Sequence, residues 1–168
     1  MLYRPHDTSP RWEKVDSGVI IGFVPRMLEL DTNEEKYKEW RDAGAEKIFL
    51  RPNDLHNNTM LPMGFEKHIF EAFKMGVKYG IIGTDYDALH GFWDISGLSD
   101  YLIARGNVDP SQDFEHWMEE YCSAYGAAAP DVRAYYDYFR INIWEKLQSV
   151  MNFGIGVSPT HRKRRIWR

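Results

Sequence analysis

Three short apolar runs divide the first half of the chain into repeating units. They cover residues 19–24, 47–50 and 79–83, and each is followed by a polar loop and then by a helical pattern. A continuous apolar run is typical of a strand whose two sheet faces are both covered by helices. The runs begin about thirty residues apart, which is the length of a βα unit. The pattern therefore predicts three parallel strands, each leading into a helix.

Helical periodicity fills the intervals between these runs. Thr32, with Glu35 three residues later, predicts a capping box that begins the first helix, and Gly44 is placed to end it. The second helix carries an apolar stripe over residues 65–73, and we expect it to end at Gly76. Short helix-to-strand turns therefore alternate with longer strand-to-helix loops.

The second half of the chain has a helical pattern throughout. A short helix is predicted over residues 98–106. Asp113 and Gly126 are placed to cap the two ends of a second helix, and Pro130 is placed to begin a third helix that continues to residue 150. We assign the apolar and aromatic stripes of the last two helices to the core of the protein.

These elements predict an α/β fold, namely a partial (β/α)8 TIM-type barrel of three βα units followed by a helical C-terminal region. A closed barrel needs about 250 residues, whereas this chain has 168, and a three-stranded sheet leaves two bare edges. We therefore expect either the C-terminal part of a longer barrel or a small open α/β sandwich. The expected division is βα units in 1–110, a helical extension packing on the barrel in 111–152, and a flexible basic tail in 153–168.

Composition and charge narrow the classes of partner. Apolar residues make up 43% of the chain, enough for one domain with a core, and the net charge of −4 favours neither nucleic acid nor an anionic membrane as partner. Cys122 is the single cysteine, which excludes an intrachain disulfide, and its place in a helical stripe predicts a core residue. No run approaches the roughly 18 apolar residues of a membrane span.

The familiar cofactor and nucleophile motifs are missing from the sequence. It contains no GxGxxG, no Walker-type phosphate loop, no GxSxG and no HExxH. We therefore expect no cofactor and no resident metal. A cytoplasmic location is the default expectation for the chain as written, while a longer parent protein is compatible with secretion or the periplasm.

Polar residues suited to chemistry follow the second apolar run directly. Arg51, Asn53, Asp54 and His56 lie in the loop after residues 47–50. In parallel α/β folds, ligands bind where strands end and the loops into the following helices begin. The planar fork of Arg51 suits a carboxylate, Asp54 suits acid or base chemistry, and His56 suits binding or proton relay. The structural alternative is that Arg51 pairs with Asp54 and that the Asn and Asp residues only build turns.

A second polar cluster follows the third apolar run. Asp85, Asp87, His90 and Trp93 lie in the loop after residues 79–83. In an extended backbone Asp85 and Asp87 lie on one side, so that one carboxylate raises the pKa of the other, which then serves as proton donor or base. Trp93 is suited to stacking on a sugar ring. The alternatives are Asx turns and a divalent metal bound by Asp85, Asp87 and His90, although their spacing is not a specific ligand signature.

The order of features along residues 40–139 resembles a known family. The shared elements are a glycine-hydrophobic strand ending in an acidic loop, a helical Leu, Tyr and Ala pattern, an Asp-Pro pair, and a Tyr-Gly pair before a Tyr-Tyr helix, namely residues 80–87, Leu98, Tyr101, Leu102, Ala104, Asp109, Pro110, Tyr125, Gly126, Ala128, Tyr135 and Tyr136. This order resembles the C-terminal half of the barrel in glycoside-hydrolase-like proteins of the domain of unknown function 4838 family, which are similar to alpha-glucuronidases. The resemblance implies half of a (β/α)8 barrel that acts on carbohydrate, with carboxylates at strand ends.

The resemblance also implies roles for the polar residues. Glycoside hydrolysis needs two carboxyl groups about 5–10 Å apart, and the catalytic candidates are Asp54, Asp85 and Asp87. The candidate substrate contacts are Arg51, Asn53, His56, His90 and Trp93. We therefore predict a glycoside hydrolase-like protein that acts on or binds carbohydrate, with the carbohydrate and the missing N-terminal part of the barrel as its partners. The alternatives are a non-catalytic carbohydrate-binding or interaction module and a metal-dependent sugar isomerase-like barrel.

Overall fold

Two short parallel strands and six α-helices make up the part of the chain that the structure describes. The structure is a computed structural model that describes residues 8–25, 29–53, 62–86 and 93–154. In order, the elements are β1 (Ile20–Phe23), α1 (Leu30–Asp42), β2 (Lys47–Leu50), α2 (Glu66–Lys78), α3 (Trp93–Val108), α4 (Phe114–Ser123), α5 (Ala129–Phe139) and α6 (Glu145–Gly154). A 3-10 turn at Gly126–Ala128 precedes α5, and a π-helical turn at Arg140–Trp144 joins α5 to α6. The fold is therefore mixed α/β and mostly helical.

The first two apolar runs form the predicted parallel strands. Ile21 pairs with Ile48 and Phe23 pairs with Leu50, and all four side chains are buried. Side chains alternate between the two faces of a strand, so these four lie on one face. The ring of Phe23 lies 4.3 Å from the ring of Tyr37 in α1. This face of the sheet is therefore the one that packs on the helices.

The third apolar run pairs with β2 in parallel but not as a regular strand. Ile82 donates its N–H to the Ile48 carbonyl at 2.8 Å, and Asp85 donates to the Leu50 carbonyl at 2.8 Å. Between these two bonds, β2 advances by two residues and its neighbour by three, which is a β-bulge. The prediction of a regular strand over residues 79–83 is wrong for this reason, although the segment does lie beside β2.

The first helix begins earlier than its sequence signals predict. The structure begins α1 at Leu30, and the Asn33 N–H donates to the Glu29 carbonyl at 2.9 Å. Because this bond already closes a helical turn, Thr32 lies inside the helix rather than at its cap. The predicted capping box of Thr32 and Glu35 is therefore wrong.

The second helix continues beyond its predicted end. Gly76 lies inside α2, and Gly80, with a φ of 69°, follows its last turn instead. A Cβ atom on Gly76 would lie 3.0 Å from Ile81 Cδ1 and 3.1 Å from the Tyr37 hydroxyl. Gly76 therefore allows close packing and does not end the helix.

The helical C-terminal region agrees with the sequence at two helix starts, but the predicted cap at Gly126 is wrong, because α4 ends at Ser123 and Gly126 begins the following 3-10 turn. The Asp113 carboxylate accepts from the His116 backbone N–H at 2.8 Å, and Pro130 lies in the first turn of α5, both as predicted. The short third helix was predicted over 98–106, but α3 extends beyond that range at both ends. The predicted apolar stripe is buried at Phe114, Trp117, Met118, Tyr121 and Cys122, but its last member, Tyr125, lies beyond α4 and is 40% exposed.

The stripe of the last helix is only half buried. Tyr136 and Trp144 are buried, but the side chains of Tyr135, Ile143 and Leu147 are 38–39% exposed, so the assignment of this whole stripe to the core is wrong. Seven residues make about two α-helical turns, which would place Ile143 on the same face as Tyr136. The wider π-helical turn adds one residue, and Trp144 takes that position instead.

One guanidinium group ties together the two turns that lead into β2 and into its neighbour. Arg41, in the last turn of α1, donates from Nη1 to the carbonyls of Ala45 at 2.6 Å and Glu46 at 2.8 Å. Its Nε and Nη2 donate to the Tyr79 carbonyl, and Nη2 also donates to the Gly80 carbonyl at 2.7 Å. Four backbone carbonyls on two turns therefore depend on one side chain.

A close backbone contact joins the start of α2 to the end of α5. Gly64 has a φ of 73°, and a Cβ atom built on it would lie 2.3 Å from the Arg140 nitrogen and 2.3 Å from the Phe139 carbonyl carbon. No side chain fits at that distance, and the left-handed backbone also favours glycine. The contact fixes where the C-terminal helices meet the α/β part.

Replacing Arg41 by Ala should lower the free energy of unfolding by about 2–4 kcal/mol, because the bonds to both turns are lost together. Arg41→Lys should restore less than half of that loss, since one ammonium nitrogen cannot span two turns. Urea denaturation measures both changes, with Glu35→Ala on the same helix as an exposed control. A lysine variant as stable as the unsubstituted protein would contradict the role of the planar fork.

Replacing Gly64 by Ala should cost about 2–5 kcal/mol, because left-handed strain and a backbone clash add together. Gly126 also has a positive φ, but no atom lies within 4 Å of its would-be Cβ. Gly126→Ala should therefore cost only the strain of about 1 kcal/mol. Thermal or urea unfolding compares the two variants, and equal losses would show that the contact with α5 contributes nothing.

Candidate functional site

Backbone hydrogen bonds bring Arg51 and Asp85 to the same edge of the sheet. Arg51 directly follows β2, and its N–H donates to the Phe23 carbonyl at 2.8 Å. Asp85 ends the segment of residues 82–85 that pairs with β2, which we call the bulged segment. The carboxyl ends of parallel neighbours lie at one edge, which is where α/β proteins bind ligands. Of the predicted site residues, the structure brings Arg51, Asn53 and Asp85 together at this edge.

The Arg51 side chain lies between two oxygen acceptors. Its Nε is 3.2 Å from Asp85 Oδ2, and its Nη1 donates to Asn53 Oδ1 at 3.2 Å. The Arg51 side chain is 14% exposed, whereas that of Asp85 is 60% exposed. A largely covered guanidinium therefore orients a carboxylate that faces solvent.

This arrangement is suited to binding a ligand that carries hydroxyl groups. A carboxylate accepts hydrogen bonds at two oxygens, and bonds to a charged acceptor are stronger than those between neutral groups. The Asn53 side chain can both donate and accept. The alternative pairing of Arg51 with Asp54 stays a prediction, because Asp54 lies outside the described residues. The carboxylate that the structure places beside Arg51 is Asp85.

Several predicted site residues lie outside the described residues. These are Asp54, His56, Asp87 and His90, and of Trp93 only the backbone, at the start of α3, is described. The predicted pairing of Asp85 with a second carboxylate therefore stays a prediction. Within the four described ranges, no three His, Cys, Asp or Glu side chains form a group that could hold a metal ion.

A buried carboxyl group, Glu66, lies at the first turn of α2. Glu66 is only 4% exposed, and this burial raises the pKa of its carboxyl group from 4.5 to about 7. The residue's own backbone N–H and the charge of Arg140 oppose this shift without cancelling it. Glu66 therefore changes its charge near neutral pH.

A chain of tyrosine hydroxyls lies beside Glu66. The Tyr125 hydroxyl donates to the Tyr121 hydroxyl at 2.9 Å, and the Tyr121 and Tyr136 hydroxyls are 3.2 Å apart. Burial raises the pKa of Tyr136 to about 12, and the negative charge of Glu66 acts in the same direction. Tyr136 is therefore a neutral phenol at physiological pH.

Sequence reasoning missed Glu66 as a chemically distinctive group. An acidic residue in the first turn of a helix is ordinary, because it interacts favourably with the helix dipole. Nothing in the local pattern distinguishes a buried example from an exposed one. The neighbours of Glu66, namely Gly64, Phe65 and His68, contact Phe139, Arg140 and Trp144, which are distant in sequence.

Replacing Asp85 by Asn should change the free energy of unfolding by less than about 1 kcal/mol, because the Asp85 carboxylate is open to solvent and such ion pairs contribute little. The same change should shift the Nε–H resonance of Arg51 in an NMR spectrum, since its charged acceptor is gone. Urea denaturation and the spectrum are recorded on one sample. A loss above about 2 kcal/mol would mean that the pair supports the fold rather than a ligand site.

Comparison with protein-family models, with curated proteins and with solved structures found no match for this chain. The resemblance to glycoside-hydrolase-like barrels therefore stays a prediction from the sequence. Across the described residues, no helix is both long enough and apolar enough to span a membrane.

Proposed function

We propose that the chain is part of a (β/α)8 TIM-type barrel that binds carbohydrate at its carboxyl edge and takes part in glycoside hydrolysis. The chain-order arrangement of β1, β2 and the bulged segment supports the barrel, because consecutive barrel strands are parallel neighbours. Ile20 on β1 and Ile82 on the bulged segment are 54% and 57% exposed. Such apolar surface on the two outer members of the sheet fits a site where further strands pack.

The observation that carries the functional proposal is the Arg51–Asp85 pair. It lies at the edge where barrel enzymes place their working residues, and its carboxylate is open to solvent. Sugar hydroxyls are donors that a carboxylate binds well, and Asn53 adds an amide to the same edge. These three side chains are the described part of the proposed binding site.

Hydrolysis of a glycoside needs a second carboxyl group about 5–10 Å from the first. Asp54 and Asp87 follow the same two strands in sequence and are the proposed partners of Asp85. One carboxyl group protonates the leaving oxygen, and the other acts as base or nucleophile. His56, His90 and Trp93 are proposed as further contacts to the sugar.

A non-catalytic carbohydrate-binding module is the second candidate. The exposure of Asp85 and its engagement with Arg51 favour this reading, because a carboxylate held by arginine is well suited to accept hydrogen bonds without transferring a proton. Both candidates use the same edge, and they differ only in whether a glycosidic bond is broken.

The test is an NMR titration of the chain with para-nitrophenyl α-D-glucuronide and para-nitrophenyl α-D-glucoside. We expect at least one glycoside to shift the side-chain resonances of Arg51 and Asn53. Asp85→Asn should weaken that binding by tenfold or more, because a charge-assisted hydrogen bond contributes about 1.5–3 kcal/mol. Release of para-nitrophenolate from the same samples reports hydrolysis.

The matched control is Asp42→Asn, an exposed aspartate at the end of α1, which should bind sugar like the unsubstituted chain. Binding without release of para-nitrophenolate would select the non-catalytic module. Absence of any shift at Arg51 and Asn53 with either glycoside would overturn the carbohydrate proposal, as would unchanged affinity in Asp85→Asn.

A further inference from the structure

The buried Glu66 lies where two parts of the protein meet. We call residues 129–154, which comprise α5, the π-helical turn and α6, the C-terminal arm. The arm touches the start of α2 through the Gly64 backbone, and the ring of Trp144 lies 5.6 Å from Phe65 and 5.3 Å from His68. In sequence, Glu66 lies between the contacting residues Phe65 and His68. A charge on Glu66 therefore lies inside the contact between arm and α2.

Arg140, whose charge acts to lower the pKa of Glu66, is already bound to other carboxylates. Arg140, in the π-helical turn, donates from Nη2 to Asp137 Oδ1 at 2.8 Å and from Nη1 to Glu145 Oε1 at 2.7 Å. Within the described residues, Glu66 has no ion pair within 4 Å. Lys67, the next residue of α2, is directed to Glu115 of α4, with 3.9 Å between Nζ and Oε1. Arg140 can therefore approach Glu66 only by giving up its own pairs.

Two further groups near Glu66 are the phenol of Tyr136 and the imidazole of His68. Tyr136 of α5 is a phenol that lies near the Tyr121 hydroxyl and accepts the backbone N–H of Leu98 in α3. His68, on α2 itself, packs on the ring of Trp144. Burying an unpaired carboxylate is costly, because water no longer solvates the charge. The interface therefore tolerates the protonated acid better than the carboxylate.

We propose that ionisation of Glu66 is a pH switch that loosens the C-terminal arm from the start of α2. In the docked state Glu66 is protonated and the arm is closed over it. When the carboxyl group loses its proton, opening the contact lets water solvate the charge. The switch changes the accessibility of the α2 start and of the buried face of the arm.

The difference in the pKa of Glu66 between the docked and the open state sets the direction and the size of the pH effect on docking. Burial raises the pKa of Glu66 to about 7 in the docked state, against 4.5 for an exposed carboxyl group. Docking of the arm is strongest below pH 4.5 and weakens as the pH rises from 4.5 to about 7. Above about pH 7 it no longer changes. The difference corresponds to a weakening of the docking equilibrium by roughly 300-fold.

The experiment is hydrogen exchange of the arm at about pH 5 and about pH 8, corrected for the intrinsic exchange rates. We expect protection over Arg140–Trp144 to fall at the higher pH in the unsubstituted chain. Glu66→Gln should keep its protection at both values, because the amide has the shape of the protonated acid and no charge. Glu71→Gln, an exposed change on the same helix, should behave like the unsubstituted chain.

A second measurement keeps the proposal testable even where Glu66→Gln fails to fold. Carbon-13 NMR of the Glu66 carboxyl group in the unsubstituted chain follows its titration directly. A midpoint near 4.5 would overturn the switch, as would equal protection of the arm at both pH values. The same loss of protection in Glu66→Gln as in the unsubstituted chain would also overturn it, because the loss would then come from another group.

Discussion

The guanidinium of Arg41 holds the amino-terminal ends of β2 and its neighbour in a fixed relation. It binds carbonyls in the turn before β2 and in the turn after α2, so neither βα unit can slide past the other. Glu34 reinforces the same place, since its Oε1 accepts from Lys78 Nζ and from the Tyr79 hydroxyl, each at 2.7 Å. These bonds lower the pKa of Glu34 to about 2, so it stays ionised and keeps accepting from both donors at physiological pH.

The position of the candidate binding edge depends on these hydrogen bonds of Arg41. Strands β1 and β2 have four residues each, so a displacement of the backbone at the amino-terminal end also displaces the carboxyl-terminal end. Arg41 donates hydrogen bonds to neutral carbonyls at the amino-terminal end of the strands. Arg51 pairs with the exposed carboxylate of Asp85 at their carboxyl end. The first arginine is satisfied by the fold itself. The second orients a charge toward solvent, which stabilises the fold little and leaves the carboxylate accessible to a ligand.

The sequence predicts those elements whose signals are local. The strands β1 and β2, the Asp113 cap and the Pro130 helix start are found where periodicity and capping residues indicate them. The edge that holds Arg51 and Asp85 was also predictable, because parallel strands end together. Burial of Glu66 was not, since it depends on the C-terminal arm packing on α2. The exposed face of the arm at Ile143 was missed for a related reason, because strict helical periodicity was assumed through residue 150.

Both candidate functional features arise from a single extra residue in a regular element. With a regular ladder beside β2, Thr84 rather than Asp85 would donate to the Leu50 carbonyl, and a hydroxyl would stand beside Arg51 in place of a carboxylate. If the arm were a regular α-helix, Ile143 rather than Trp144 would lie on the same face as Tyr136 and pack against α2. Periodic patterns cannot locate such insertions, because each is stabilised by partners elsewhere in the chain. Bulges and π-helical turns are common at functional sites, so the places where the periodic prediction fails are also the places where this chain carries its distinctive chemistry.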